Sequence, residues 1–172
     1  MTPSTEGRTF YIMDACVVID FVNAEKDILK LFAEFMGPLY IVSPVIEEIN
    51  GIDGEKELVE LGFSVIEPEI EDAYKAGESL GPLSFQDWIC LLTAKRHGFI
   101  CVTNDKKLRE VCNQEGVRTL WGLGFIVELY KAGGITYEHA ICIARKIHES
   151  NPKHISNKIF EKFKKDISSL GK

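Results

Sequence analysis

The sequence predicts an α/β fold in which helices cover both faces of a central parallel sheet. Short apolar segments alternate with longer helix-like segments along the chain, which is the pattern of repeated β-α-β units. The apolar segments carry few polar residues, as is typical of strands that are buried on both faces. These observations predict a three-layer α/β/α architecture with a parallel sheet of about five strands, followed by C-terminal helices.

The predicted strands are short, and polar residues follow two of them. They cover residues 9–13, 38–42, 62–66, 99–102 and 117–120. Asp14 directly follows the first strand, and Thr103, Asn104 and Asp105 follow the fourth. In open parallel sheets, functional groups collect beyond the carboxyl ends of the strands. We therefore treat the acidic residues at these ends as candidate functional residues.

Helix-like segments fill the intervals between the strands. One or two helices are predicted between Cys16 and Met36, and another after Ser43, where a proline occupies the first helical position. Further helices are predicted at about 71–79, 84–98, 105–116, 122–133, 136–149 and 155–168. The chain is most simply one domain, to which residues 136–172 add C-terminal helices, and a candidate linker at residues 150–153 separates the core from the final basic helix. We expect residues 1–8, which are polar, to be disordered.

Composition indicates a globular protein with an uneven charge distribution. The 172 residues carry a net charge of −6. Arg145 to Lys172 contains eight Lys/Arg and three Asp/Glu, so this tail carries +5, and subtracting +5 from −6 leaves −11 for the rest. No apolar run approaches the ~20 residues of a membrane span, and no secretory signal is visible, so a cytoplasmic location is expected. An acidic body binds nucleic acid poorly unless a metal or local cations offset its field.

The five cysteines show no metal-binding pattern. They are Cys16, Cys90, Cys101, Cys112 and Cys142. No pair has C-x-x-C spacing, and the histidines also lack ligand spacing. Four cysteines have apolar neighbours, whereas Cys112 is more ambiguous. We expect reduced core residues and no zinc site.

Four acidic residues are the main candidates for chemistry: Asp14, Glu48, Asp87 and Asp105. Each has a structural alternative, because Asp14 and Asp105 could cap helices and Asp87 completes a capping-box pattern with Ser84. Capping does not explain why all four should meet at one edge of the sheet. Carboxylates gathered there would repel one another, which favours a bound hard divalent cation.

Two glutamates compete for one of these positions. On a helix whose apolar face includes Val45, Ile46 and Ile49, Glu47 points to solvent and Glu48 lies at the border of the buried face. Both could equally be surface charges. The sequence favours Glu48 for the site, and we expect Asp20, Asp27 and Asp53, which do not follow strands, to be solvated.

Taken together, these motifs resemble those of PIN-domain ribonucleases, and most of all the VapC-type toxins of prokaryotic toxin–antitoxin pairs. The resemblance covers about residues 9–135. It rests on Asp14 after the first strand, then Ser43-Pro44-Val45-Ile46-Glu47-Glu48-Ile49, Asp87 with Ala94, Thr103-Asn104-Asp105, and residues 117–124 with 132–135. Each motif is short, but their order and spacing together are fairly specific. The segment from residue 136 is less typical of the family.

The resemblance implies a PIN fold and metal-dependent hydrolysis of RNA that leaves 5′-phosphate and 3′-hydroxyl ends. It implies that Asp14, Glu48, Asp87 and Asp105 form the catalytic tetrad, that Mg²⁺ or Mn²⁺ binds Asp14, Asp87 and Asp105, and that Asn104 and Ser84 support the site. Glu48 would orient water or hold a second metal. Lys106, Lys107 and Arg109 either hold the RNA backbone or form a solvated helix face. The implied partners are RNA, a small antitoxin protein and a second copy of the chain.

Other classes of function remain open at this point. The chain could be a PIN endonuclease of RNA maturation, or a non-catalytic module that binds proteins through an acidic pocket. A phosphoacceptor receiver domain also places acids at strand ends. Receiver domains need a further acid before the first-strand aspartate, and Met13 occupies that position.

Overall fold

The computed structural model describes residues 8–171, and these contain one five-stranded parallel sheet flanked by helices. The strands are β1 (Tyr11–Met13), β2 (Leu39–Val42), β3 (Phe63–Ile66), β4 (Ile100–Val102) and β5 (Thr119–Leu120). Every neighbouring pair is parallel. The predicted three-layer α/β/α fold is confirmed. Residues 1–7, in the segment expected to be disordered, lie outside the described residues.

The strand order β3-β2-β1-β4-β5 reverses direction at the centre of the sheet. From β1 the chain adds β2 and β3 on one side, and then adds β4 and β5 on the other. Connections therefore leave β1 and β4 toward opposite sides, and this opens a crevice beyond the carboxyl ends of these two strands. Asp14 follows β1 directly, and Asp105 follows β4 by three residues. The topology thus places both residues at the reversal point.

Ten helices occur in the described residues; nine begin close to predicted positions, and α4 was not predicted. They are α1 (Ala15–Glu25), α2 (Ile28–Met36), α3 (Ser43–Ile46), α4 (Gly54–Glu60), α5 (Ile70–Glu78), α6 (Phe85–His97), α7 (Lys106–Gln114), α8 (Gly122–Lys131), α9 (Tyr137–Ser150) and α10 (Asn157–Leu170). No helix in residues 8–171 is both long enough and apolar enough to cross a bilayer.

The predicted helix after Ser43 is much shorter than its apolar pattern suggested. Helix α3 ends at Ile46, Glu47 and Glu48 form a turn, and α4 begins at Gly54. Gly51 has φ +89°, a left-handed conformation that interrupts a right-handed helix. The prediction of a single helix through Glu47 and Glu48, on which their expected orientations were based, was therefore wrong.

Aromatic side chains join the sheet to the helices on one face. The rings of Phe32 and Phe125 stack at 4.2 Å, and Phe125 also contacts Tyr11 of β1 at 4.8 Å. Helix α6 packs against β1, β2 and β4, and its residues 89–94 are buried. These contacts fix the strand ends on which the acidic residues stand.

The C-terminal extension packs on the domain. Helix α9 contacts α1 and α8, and α10 contacts α8 and α9. Phe160, Phe163 and Ile167 of α10 are buried by this packing. The predicted linker at residues 150–153 is a short connection, and the side chain of Asn151 within it donates to Asp20 of α1.

The cysteine prediction holds for three of the five residues. Cys90, Cys101 and Cys112 are buried, so the residue with the more ambiguous surroundings belongs to the core. Cys142 is exposed and Cys16 is half-buried, contrary to expectation. The apolar neighbours of Cys142 in sequence lie on other faces of α9, where Ile143 and Ala144 are buried.

Candidate functional site

Asp14 is a buried carboxylate at the point where the strand order reverses. It caps α1 by accepting the backbone N–H of Ala15 at 2.8 Å, and its Oδ2 accepts from the Thr103 hydroxyl at 2.9 Å and the Cys16 thiol at 3.0 Å. Its backbone N–H donates to the carbonyl of Val102, which extends the sheet ladder to this residue. Only 4% of its surface is exposed. The side chain is therefore held rigidly between β1 and β4.

Burial raises the pKa of Asp14 above its usual value. The hydrogen bonds from Cys16, Thr103 and Ala15 act in the opposite direction, whereas the charge of Asp87 raises the pKa further. Among residues 8–171, no cationic side chain forms an ion pair with Asp14. Its negative charge thus lacks a local counter-charge from the protein.

Thr103 connects two of the candidate acids. Its buried hydroxyl donates to Asp14 and accepts the backbone N–H of Asp105 at 3.1 Å. Its own backbone N–H donates to the carbonyl of Leu120 at the end of β5. One side chain thereby ties the ends of β1 and β4 together, a role that was not predicted for Thr103.

Asp87 and Asp105 both serve as helix caps, as the alternative interpretation predicted. Asp87 Oδ2 accepts the Ser84 N–H at 2.9 Å, and Ser84 Oγ accepts the Asp87 N–H at 3.1 Å. Asp105 Oδ1 accepts the N–H of Leu108 at 2.9 Å. Each of these half-buried carboxylates uses one oxygen in this way. Within the described residues, its second oxygen has no hydrogen-bond donor, so capping does not exclude binding of a ligand.

Glu48 lies in the turn after α3 and interacts with two of the other acids. The side chain as a whole is exposed. Partial burial nevertheless raises the pKa of its carboxyl group, and the charges of Asp14 and Asp87 raise it further. Glu48, Asp14 and Asp87 therefore form one electrostatic cluster, whereas Asp105 is joined to it through Thr103.

The carboxylate oxygens of this cluster are suitable ligands for a hard divalent cation, but their arrangement in the structure is not that of a formed metal site. Carboxylate oxygens are the usual ligands of Mg²⁺ and Mn²⁺. In residues 8–171, however, no three His, Cys, Asp or Glu side chains stand together as a formed metal cage. The capping bonds of Asp87 and Asp105 hold their carboxylates toward their own helices. The residues fit such an ion by donor chemistry, and the oxygens of Asp87 and Asp105 that accept no capping bond are the ones free to bind it.

Cys16 is a thiol donor within the acidic site. Burial, followed by the charge of Asp14, raises its pKa well above the ordinary value. The thiol therefore stays protonated at neutral pH, and this allows it to donate to Asp14. Its sulfur also lies 3.6 Å from the Thr103 hydroxyl. The position of Cys16 two residues after Asp14 was the sequence signal for a place in the site, but its apolar neighbours favoured a place in the core.

Asn104 supports the site by joining it to the C-terminal extension. Its amide donates to Asp20 Oδ2 at 2.8 Å, and its carbonyl accepts the N–H of Gly122 at 2.9 Å. Asp20 also accepts from Asn151 at 3.1 Å. The expectation that Asp20 is solvated was wrong, because it is only 4% exposed. Asp27 and Asp53 are exposed, as expected.

The three basic candidates on α7 differ in their environments. Lys106 and Lys107 are exposed, and Lys106 lies 3.8 Å from Glu110. Arg109 is half-buried, stacks on the Trp121 ring at 3.3 Å and reaches the carbonyl of Thr103 at 3.5 Å. Arg109 is therefore held in contact with Thr103, the residue that connects Asp14 and Asp105.

Comparison of the sequence with protein-family models and with curated proteins finds no match to either.

Proposed function

We propose that the chain is a metal-dependent endoribonuclease of the PIN type, similar to VapC toxins. The observation that carries this proposal is the environment of Asp14. This buried carboxylate lies at the strand reversal, is close enough to Asp87 and Glu48 for their charges to interact, and has no ion-pair partner among the described residues. A buried charge is costly unless it is paired or coordinates a metal. A divalent cation would offset the repulsion in this cluster.

In this proposal, Asp14, Asp87 and Asp105 hold Mg²⁺ or Mn²⁺. When bound, the ion supplies charge neutralisation of the phosphodiester and a more acidic water. Thr103 fixes the Asp14 carboxylate and the Asp105 backbone, so the two acids keep their relative positions. Glu48, whose carboxyl group interacts with the charges of Asp14 and Asp87, would accept a hydrogen bond from the attacking water, orient it and take up its proton.

The partners implied by the resemblance form part of the proposal. We expect a small antitoxin protein to cover the acidic site, and the chain to form a homodimer in the cytoplasm. Helix α5 supports self-association, since its Ile70 and Tyr74 lie one turn apart and are 74% and 70% exposed. Leu80 after this helix is 94% exposed. A PIN endonuclease of RNA maturation would use the same acids, so only the RNA target separates these two enzymes.

A non-catalytic acidic module is the second candidate. The capping bonds of Asp87 and Asp105, together with the lack of a formed metal cage in the described residues, favour it. This module would bind a cationic protein segment at the acids. It would neither cleave RNA nor gain stability from a divalent ion.

The deciding experiment measures RNA cleavage by the purified chain with Mg²⁺ or Mn²⁺, with and without EDTA. We expect cleavage that the chelator stops and that Asp14→Asn and Asp105→Asn abolish. Asp27→Asn is the matched control, because Asp27 is an exposed aspartate away from the site. Cleavage that persists in EDTA, or that survives Asp14→Asn, would refute the metal mechanism.

Metal binding should be measured separately by calorimetry and thermal unfolding. Binding of Mn²⁺ to wild type raises the melting temperature, and Asp14→Asn removes this increase. A wild-type protein that neither binds Mn²⁺ nor cleaves RNA would leave the acidic binding module as the better explanation.

A further inference from the structure

An open cavity of about 230 Å³ lies between α8 and α10. Its walls are mainly apolar and include Trp121, Leu123, Val127 and Phe163. Lys162 and Asp166, which form an exposed ion pair at 2.8 Å, also line it. The cavity thus combines flat apolar walls with one donor and one acceptor group that face solvent. These are the two kinds of group that recognise a planar heterocycle with polar edges.

Trp121 joins this cavity to the candidate active site. It directly follows β5 and precedes the first residue of α8, so it stands at the same carboxyl edge of the sheet as the acids. Its ring carries the stacked guanidinium of Arg109, which reaches the carbonyl of Thr103. Thr103 in turn contacts Asp14. A continuous chain of contacts, one of them through the backbone carbonyl of Thr103, therefore runs from the cavity wall to the buried acid.

Arg109 presents a positive charge between the cavity and the acids. In residues 8–171, no carboxylate lies within ion-pair distance of it. Its plane is held by the Trp121 ring, so its remaining N–H groups have a fixed direction. A planar guanidinium held in this way suits a phosphate group.

We propose that the cavity is a nucleobase slot for single-stranded RNA. One base enters it and stacks on Trp121, and Arg109 holds the phosphate between that base and the acids. Aromatic side chains and guanidinium planes are the usual stacking surfaces for unpaired bases. This inference rests on the proposed ribonuclease function and specifies how that site selects and positions its substrate.

The charges around the cavity favour a nucleotide over an apolar protein segment. Helix α10, which forms one wall, belongs to the tail with net charge +5 in an otherwise acidic chain. An apolar segment would need no unpaired guanidinium beside the slot. A polyanionic chain would gain affinity from Arg109 and from Lys162, because phosphate contacts with Lys and Arg supply much of nucleic-acid affinity.

Binding is tested first, without metal, by tryptophan fluorescence. Trp121 and Trp88 are the two tryptophans of the chain. Trp88→Phe removes the other signal and loses no hydrogen bond, because Trp88 Nε1 has none among the described residues. In this background and in EDTA, a single-stranded RNA octamer should quench Trp121 emission. The same octamer with every base abasic should quench it much less. Equal quenching, or none, would overturn the slot.

Cleavage is tested with an RNA of one defined cleavage site in which each base is made abasic in turn. In the Trp88→Phe background, one position near the cleaved bond should lower kcat/KM by about tenfold, the effect of losing one base–aromatic stack. Trp121→Leu should cleave the intact RNA and that abasic RNA at equal, reduced rates. Val127→Phe, which fills the cavity without changing Trp121, should do the same.

The two proposals can fail separately. If no abasic position changes the cleavage rate and RNA leaves Trp121 emission unchanged, the slot is rejected and the ribonuclease proposal remains. Base-dependent quenching without any cleavage rejects the ribonuclease and leaves the slot standing. If Val127→Phe instead changes the oligomeric state and leaves RNA quenching intact, the cavity is a protein contact and the slot is rejected.

Discussion

The hydroxyl of Thr103 donates a hydrogen bond to Oδ2 of Asp14 across 2.9 Å, although 89 positions separate the two residues in sequence. The same hydroxyl accepts the backbone N–H of Asp105. Because β1 and β4 are neighbours at the strand reversal, one buried side chain can order an acid on each strand end. This contact connects the topology of the sheet to the electrostatics of the proposed active site.

We predict that Thr103→Val destabilises the protein and lowers cleavage. Valine keeps the shape of threonine but leaves the Asp105 N–H without its acceptor and Asp14 without one donor. Loss of a partner by a buried polar group costs about 1–3 kcal/mol, which urea unfolding can measure. Thr103→Ser, which keeps the hydroxyl, is the matched control. If Thr103→Val and Thr103→Ser unfold at the same urea concentration, this bond has no structural importance.

Asp14→Asn should leave the metal-free protein at pH 7 as stable as wild type, or more stable. Asparagine removes a buried negative charge that has no ion-pair partner among the described residues, and it can still cap α1. Asp14→Ala removes the cap as well, and should be less stable than Asp14→Asn by about 1 kcal/mol. Both free energies of unfolding are measured in EDTA. A substantial loss of stability in Asp14→Asn would mean that the charge serves the fold and not a ligand.

The fold could be predicted because local patterns determine its elements. Apolar runs marked all five strands, and the capping pattern of Ser84 and Asp87 marked the start of α6. The prediction failed after Ser43, where a helical period continued past the end of α3. Gly51 was the signal that could have ended the helix, since its left-handed conformation is incompatible with one.

The acids of the site could be predicted only in part. Asp14 and Asp105 follow strands, so local sequence marks them directly. The roles of Thr103 and Asp20 depend on partners 89 and 131 positions away, and no local pattern encodes such distances. Asp20 was assigned to solvent because it does not follow a strand. The packing of α9 on α1 buries it.

A pH-dependent effect is predicted for Asp20, whose pKa is raised by burial above the ordinary value of 3.8. A raised folded-state pKa means that the protonated acid contributes stability at low pH, and that this contribution is lost as pH rises through the folded-state pKa. The stability of wild type relative to Asp20→Asn should therefore fall as the pH is raised above the ordinary aspartate value of 3.8. Urea unfolding in EDTA at several pH values measures this difference.

The control for this experiment removes a second titrating group. The charge of His154 lowers the pKa of Asp20, and the amides of Asn104 and Asn151 lower it as well. The comparison is therefore repeated with His154→Gln in both proteins, and the fall with pH should remain. A difference that is constant with pH, or that grows, would show that Asp20 is not the group responsible.

Glu48→Gln should lower kcat for RNA cleavage at saturating Mn²⁺, whereas Glu47→Gln should change it little. The two glutamates are adjacent, exposed and in the same turn, so each variant removes one negative charge from nearly the same place. Both variants should therefore change the long-range electrostatic steering of RNA to the same extent. The charges of Asp14 and Asp87 act on the Glu48 carboxylate, and this interaction sets Glu48 apart from Glu47. Loss of a general base lowers a rate by about 10²–10⁴-fold, and a loss of that size in Glu48→Gln alone is the expected result.

Single-turnover cleavage measures this loss of rate without interference from product release. Equal and small losses in the two variants would show that Glu48 is a surface charge, and that the water must be activated by the remaining acids.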